Sequence, residues 1–330
     1  MTNRLVSLDP AALDRRPPDV AIGVDVGGTK TALGLLDAGS LSLRDRLVIP
    51  TRRERGGETV LADVAARVAQ LAARAGRPVA GIGVGVPEIV SPSGRISSAA
   101  VMPGWDELPV AATLAGSVPA DRAPVIESDV RAAALAEATL GAGREFGFFV
   151  FLTVGTGISY CAVADGRPVT GHRGGALNVG TSVLADGAPT LQDTASGAAL
   201  ARRYAERAGH ARPGGAAETR DVLAAAYDRN GGDPAAVQVA AEGAKALGIG
   251  IALLINLLDP EAVVLGGGLG TADTPYIDQA RDWAAHYAHR FAAGTPVLRG
   301  ELGADAGVIG AGLAGLRTPQ LNETTTIRRK

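Results

Sequence analysis

Asp25-Val-Gly-Gly-Thr-Lys-Thr31, carried at the end of the apolar run Val20–Val26, decides how the rest of the chain is read. The run predicts a buried strand. A carboxylate at its end, followed by two glycines and a hydroxyl, lets backbone N–H groups approach an anionic phosphate while the carboxylate handles its metal. Alone, the pattern reads better as a glycine hairpin with no ligand. Two further apolar runs end the same way, Leu152-Thr-Val-Gly-Thr-Gly-Ile158 and Val263-Val-Leu-Gly-Gly-Gly-Leu269, and three such turns in one chain point to a nucleotide.

The chain of 330 residues exceeds the usual single-domain size, so two lobes with a cleft between them are expected. A net charge of −2 and an aromatic content of 4% offer neither a basic field nor a stacking surface for nucleic acid, which is not expected as a partner. Cys161 is the single cysteine and lies in a strand-like run, so neither a disulfide framework nor a cysteine-based zinc site is expected; it reads as a core thiol in a reducing cytoplasm. No apolar signal segment stands in Met1–Pro18 and no later run reads as a bilayer span, so no membrane is expected either.

Apolar patterning predicts strands at Val20–Val26, Thr31–Leu36, Arg46–Pro50 and Val79–Val86, with a helix at Glu58–Ala75. A strand at Ala123–Glu127 then runs into an alanine-rich helix, Asp129–Gly141. The order repeats with strands at Phe148–Val154, Ile158–Ala164 and near Arg167–Thr170, helices at Ser196–Ala208, Thr219–Asn230 and Asp233–Leu258, and a strand at Ala262–Leu265. Duplication of one lobe is the economical explanation. The domain reading is an N-terminal lobe over residues 1–126 completed by a C-terminal helix at 307–320, a second lobe over 127–306, and a loose tail at 321–330.

Five segments resemble the ROK group of kinases and repressors, within the actin/hexokinase-like ATPase superfamily. They are Asp25-Val-Gly-Gly-Thr-Lys30; Glu127-Ser-Asp-Val-Arg-Ala-Ala-Ala-Leu-Ala-Glu137, similar to the family's Glu-Asn-Asp-Ala-Asn-Ala-Ala-Ala-Leu-Gly-Glu; Gly155-Thr-Gly157 with Asp165-Gly166 and Gly171; Ile255-Asn-Leu-Leu-Asp-Pro-Glu261 with Gly266-Gly-Gly268; and Ala306-Gly-Val-Ile-Gly-Ala311. The resemblance implies an α/β fold of two actin-like (ribonuclease H-like) lobes around a central cleft, ATP and magnesium as cofactors, a sugar hydroxyl facing the γ-phosphate, and a homodimer. Family repressors carry a winged helix–turn–helix before the first phosphate motif. Here that motif begins about twenty residues in, so the kinase branch is expected.

On this resemblance Asp129 is the general base; read without the surrounding motif it is an N-capping aspartate before it is a base. Asp25 would organise magnesium through water, and Gly27, Gly28, Thr29, Gly155, Thr156 and Gly157 would hold phosphates. Lys30 is a phosphate-side candidate. Gly266, Gly267, Gly268 and Gly310 would let the backbone lie against adenosine, with turn and helix-packing roles as the alternative.

The acceptor side departs from the family. Family sugar kinases read Gly-Glu-Ile-Gly-His where this chain reads Leu177-Asn-Val-Gly-Thr181, so a sugar-binding glutamate becomes Asn178 and a zinc-ligating histidine becomes Thr181. The family's cysteine cluster gives way to Asp186-Gly-Ala-Pro-Thr-Leu-Gln192, with Gln192 where another sugar-binding glutamate would stand. Ser128 replaces an asparagine and Glu88 a glycine, and His172 and Arg173 are either new contacts or an exposed loop pair. Zinc is not expected. Glu88, Ser128, Asp129, Asn178, Thr181 and Gln192 form the expected acceptor set. A retained base among rewritten contacts predicts a cytoplasmic kinase of a modified sugar or cyclitol, such as kanosamine or a C7-cyclitol, with an ordinary glucokinase or a non-catalytic sugar sensor as alternatives.

Overall fold

The computed structural model describes residues 19–176, 180–183, 186–209, 218–229 and 231–317. Leu177 to Val179, the tail 321–330 and the last residues of the expected 307–320 helix lie outside them.

The first sheet has the order β3-β2-β1-β4-β5, with β1 at Val20–Val26, β2 at Lys30–Asp37, β3 at Leu43–Pro50, β4 at Val79–Val86 and β5 at Val125–Ser128. β1 and β4 are apolar almost without interruption because both their faces are covered. β3 alternates exposed and half-buried residues, as an edge strand does. One face takes α1 (Gly57–Ala75), whose Val60, Val64, Val68 and Leu71 recur at helical spacing and are buried, together with α2 (Val110–Ser117).

α10 (Ala306–Arg317) covers the other face. It lies so close that a Cβ on Gly23 would be 1.9 Å from the Val308 oxygen, and one on Gly83 1.8 Å from the Ala311 oxygen. Glycine at those two strand positions is what lets the helix backbone reach the sheet. On its far side α10 crosses α3 (Asp129–Leu140).

The second sheet comprises β6 (Phe148–Val154), β7 (Ile158–Ala164), β8 (Arg167–Pro168), β9 (Ala262–Gly266) and β10 (Val297–Arg299). Its order, β8-β7-β6-β9-β10, matches the first sheet position for position: an antiparallel meander followed by two parallel strands. That correspondence is the duplication expected from the sequence. Its core packs against α4 (Leu191–Ala195), α5 (Gly197–Arg207), α6 (Thr219–Ala226), α7 (Pro234–Leu258) and α9 (Pro275–Tyr287), while α8 (Gly267–Gly270) is a single turn. α7 opens on Asp233, whose carboxylate accepts from the Ala235 and Ala236 amides at 2.8 and 3.1 Å, with Pro234 in the first turn.

α7 is the one described helix that by length and composition alone, with its 25 residues, could cross a bilayer. Half of its most apolar window is buried, and Val239, Leu247, Ile251 and Leu254 build the core of the second lobe. Cys161 is buried on β7 as expected, and burial pushes its thiol up to about 12.

Candidate active site

Asp25 closes β1 beside Gly85 of β4, and Gly85 in turn pairs with Glu127 of β5, two residues before Asp129 opens α3. A Cβ on Gly85 would lie 3.5 Å from the Asp129 Cα. Asp25 and Asp129 therefore flank one glycine at the carboxyl ends of neighbouring parallel strands, the crevice where open α/β sheets take ligands. Both are half-buried. Burial, and then the charge of Asp25, push Asp129 up to about 7; the Val130 amide at 2.6 Å and the Ser128 hydroxyl pull it down, and Glu88 pushes it up slightly. Burial likewise lifts Asp25 to about 6 against the pull of Lys30 and Arg46.

The Asp25 carboxylate accepts no hydrogen bond among the described residues and rests on Gly307, where a Cβ would sit 2.5 Å from its Oδ2. Two acidic groups brought together with so few donors could hold a cation. A single carboxylate is a sufficient protein anchor for magnesium, which keeps several waters and takes its remaining ligands from phosphates. Among the described residues no group of three His, Cys, Asp or Glu side chains could hold a metal.

The first glycine turn is a tight link from β1 to β2: the Gly27 amide donates to the Lys30 oxygen at 2.9 Å, leaving Gly28 and Thr29 at its tip and the Lys30 side chain exposed. Thr51 laces this turn from behind. Its hydroxyl donates to the Gly27 oxygen at 2.7 Å and lies 2.9 Å from the Thr31 hydroxyl, and its amide donates to the Thr29 oxygen. The second turn, Gly155 to Gly157, closes on itself through Gly155 N–H to the Gly157 oxygen at 2.9 Å and exposes Thr156. A Cβ on Gly155 would be 4.0 Å from the Gly268 amide, so the second and third turns stand side by side.

The glycines expected against adenosine divide. Gly268 is exposed, with open space beside it, and Gly267 makes the turn at φ 78°. Gly266 packs on the Phe151 ring, and Gly310 sits where α10 crosses α3, a Cβ there falling 1.7 Å from the Ala132 oxygen. Packing, the alternative weighed for these two, accounts for them.

The acceptor set is also redistributed. Ser128 is buried and bonds the Asp129 carboxylate. Glu88 is not a free contact: Oε1 accepts from the Val101 and Met102 amides at 2.7 and 2.8 Å, and Oε2 from the Ser98 hydroxyl and the Ala100 amide at 2.6 and 3.0 Å. Gln192 accepts from the Ile158 amide at its Oε1 at 3.1 Å, while its backbone N–H donates to the Gly180 oxygen, so it joins the second phosphate turn to the loop around Gly180. Thr181 is exposed, Asn178 lies outside the described residues, and His172 and Arg173 are exposed in the loop at 171–176.

Sequence reasoning passed over three charged residues. Arg131 stands where the family motif quoted above has its second asparagine. It is buried, pairs with Glu127, and donates to the Gly174 and Val90 oxygens, both at 2.7 Å. Glu137, also buried, ties the end of α3 to the Glu301 and Leu302 amides at 3.1 and 3.0 Å. Arg53 holds a guanidinium nitrogen 3.7 Å from where a Gly28 Cβ would be, and that guanidinium makes no hydrogen bond or ion pair among the described residues. The motif alignment marks Arg131; nothing in the sequence marks Arg53.

The ROK family model matches residues 21–314. The chain belongs to the ROK family. It is 31% identical over 319 residues to a glucokinase of Halalkalibacterium halodurans, covering 88% of this chain and 93% of that one. It is 29% identical over 306 residues to a kanosamine kinase of Amycolatopsis mediterranei, covering 89% and 96%. A ROK glucokinase from Streptomyces griseus, solved with glucose and AMPPNP, is 26% identical and superposes with a TM-score of 0.76 over 90% of this chain and 99% of that one. The two duplicated lobes are thus the actin-like lobes of ROK kinases.

Proposed function

We propose that this carbohydrate kinase of the ROK family transfers the γ-phosphoryl group of ATP to a hydroxyl of a modified sugar or sugar-like cyclitol, for example an aminosugar such as kanosamine, or a C7-cyclitol. The observation that carries the reading is the convergence of Asp25 and Asp129 beside the Gly27–Thr29 turn, with Asp129 near 7 and so poised to take a proton at neutral pH.

Phosphoryl transfer asks a protein for alignment, charge neutralisation and a place for one proton. The hydroxyl of the acceptor donates to the Asp129 carboxylate, and its proton passes to that oxygen as the bond to phosphorus forms. Ser128 holds the carboxylate in place. Amides of the Gly27–Thr29 and Gly155–Gly157 turns, with the Thr29 and Thr156 hydroxyls and Lys30, hold the phosphates. The backbone at half-buried Gly267 and exposed Gly268 supports the adenosine. Magnesium at Asp25, held through water, would supply neutralising charge to the phosphate oxygens.

The modified acceptor is supported by Asn178 and Thr181 replacing the family's glutamate and histidine, since a pocket built around hydrogen bonds discriminates strongly against a partner that leaves them unpaired. The same exchange argues against zinc. Glucose is the second reading, favoured by the glucokinase relative. The reading places the enzyme in the cytoplasm as a homodimer, for which exposed Leu257 and Phe291 offer apolar surface. ADP release across a panel of hexoses, aminosugars and cyclitols tests the acceptor; turnover on glucose above all other members would reverse it in favour of the second reading.

A further inference from the structure

Arg131 stands on the first turn of α3, two residues after Asp129, and is buried. A buried charge persists only where its donors are met, and here three segments meet them. Nε donates to Glu127 Oε1 at the end of β5, Nη2 to the Val90 oxygen and Nη1 to the Gly174 oxygen, the last two at 2.7 Å. Val90 opens a turn between β4 and β5 of the first sheet that a bridge to Ile96 closes, whereas Gly174 follows β8 of the second sheet. The guanidinium fork thus joins a loop of each lobe to the helix between them.

The two loops touch at that point. A Cβ on Gly174 would be 2.0 Å from the Val90 oxygen, and the residue has φ 89°, so only glycine lets the two backbones meet without strain. On the other side of the fork, the same Glu127 Oε1 accepts from the Ser128 amide at 2.8 Å, and the Ser128 hydroxyl bonds the Asp129 carboxylate. A chain of hydrogen bonds therefore runs from Val90 and Gly174 through Arg131, Glu127 and Ser128 to the proposed base. Among the described residues, none of the bonds that Arg131 makes is to a phosphate turn.

We infer that Arg131 is a positioning residue whose fork clamps the turn carrying Asp129 to one loop of each lobe and so holds the base in its working alignment. The inference rests on the kinase reading above and deepens it to the residue that holds the base. A planar guanidinium serves one carboxylate and two carbonyls at once, which the single ammonium of lysine does not reproduce. A buried ion pair adds little to stability by itself; what this one fixes is geometry.

The test measures kcat and KM for ATP in the parent protein, Arg131→Lys and Gly174→Ala, on whichever member of the panel of hexoses, aminosugars and cyclitols the parent turns over fastest. Rates are taken well below each melting temperature, with amide hydrogen exchange at residues 171–176 beside them. Arg131→Lys keeps a charge beside Glu127 and loses the fork, so kcat should fall about tenfold while KM for ATP stays within twofold. Gly174→Ala leaves Arg131 and α3 in place but forces the second lobe's loop off Val90, so kcat should fall about three- to tenfold with the same constancy of KM for ATP; it decides the matter if Arg131→Lys fails to fold. Exchange at 171–176 should rise in both. A variant with raised exchange or a lowered melting temperature but an unchanged kcat would assign the fork to stability alone and overturn the inference, leaving the kinase reading intact. So would a KM for ATP that rises as much as kcat falls. A parent that phosphorylates no member of the panel overturns both.

Discussion

The Asp25 carboxylate rests on the Cα of Gly307, so close that any side chain at 307 would come within 2.5 Å of its Oδ2. The first described strand and the first turn of the last described helix thus meet at one acidic group. Gly307→Ala must push that carboxylate aside, while alanine favours the helix by up to about 1 kcal/mol. The expected outcome is a magnesium activation constant raised about tenfold with no loss of melting temperature, read from a metal titration of turnover beside a thermal scan. Unchanged magnesium dependence would remove Asp25 from the metal's role.

Asp129 near 7 and Asp25 near 6 set the acid limb of activity. The base works only when ionised, so kcat/KM should rise with pH by up to tenfold per unit below 7 and level off above it. Saturating magnesium should move the limb to lower pH, because a cation at Asp25 offsets the charge that raises Asp129. A profile flat between pH 5 and 8 would show that Asp129 does not receive the proton.

The same shift carries a stability cost. With the folded value near 7 and the unfolded value at the ordinary 3.8, the folded state holds the extra proton between about pH 4 and 7, so stability falls as pH rises through that window. Asp129→Asn removes the charge and keeps the shape. It should lower turnover by about 10²–10⁴-fold, yet stabilise the fold at pH 8 by about 2–4 kcal/mol and leave it unchanged below pH 4. Urea unfolding at the two pH values reads this directly; equal stabilities of parent and variant at pH 8 would mean that Asp129 carries no burial penalty.

The Arg53 guanidinium stands at the edge of the first phosphate turn with no ion pair among the described residues. Arg53→Ala should raise KM for ATP about three- to tenfold, more at low salt than at high, since an exposed charge is screened. Initial rates at two ionic strengths check it, and a KM that does not move would assign Arg53 to solvent.

The hairpin of β6 and β7 was legible because two apolar runs flank a three-residue glycine turn, and the structure pairs Val154 with Ile158 across it. α9 was not foreseen although Tyr276, Ile277, Ala280 and Ala284 carry a helical spacing, because charged and polar residues crowd between them. β10, three half-buried residues long, leaves too short a pattern to read. At the site, the convergence of Asp25 with Asp129 was legible through motifs at strand ends. The role of Glu88 was not: its four donors lie ten to fourteen residues further on and converge only when that segment folds back. Gly310 looked like a nucleotide contact because a helix crossing and a close ligand approach ask for the same missing Cβ.

The most direct test of the account is acceptor-dependent ADP release from ATP, measured for the parent and Asp129→Asn on glucose, kanosamine and a C7-cyclitol. The account predicts that a modified acceptor exceeds glucose in kcat/KM and that the variant loses at least a hundredfold in kcat with its affinity for ATP within twofold. Glucose as the best acceptor, or a variant that keeps near-normal kcat, would contradict it.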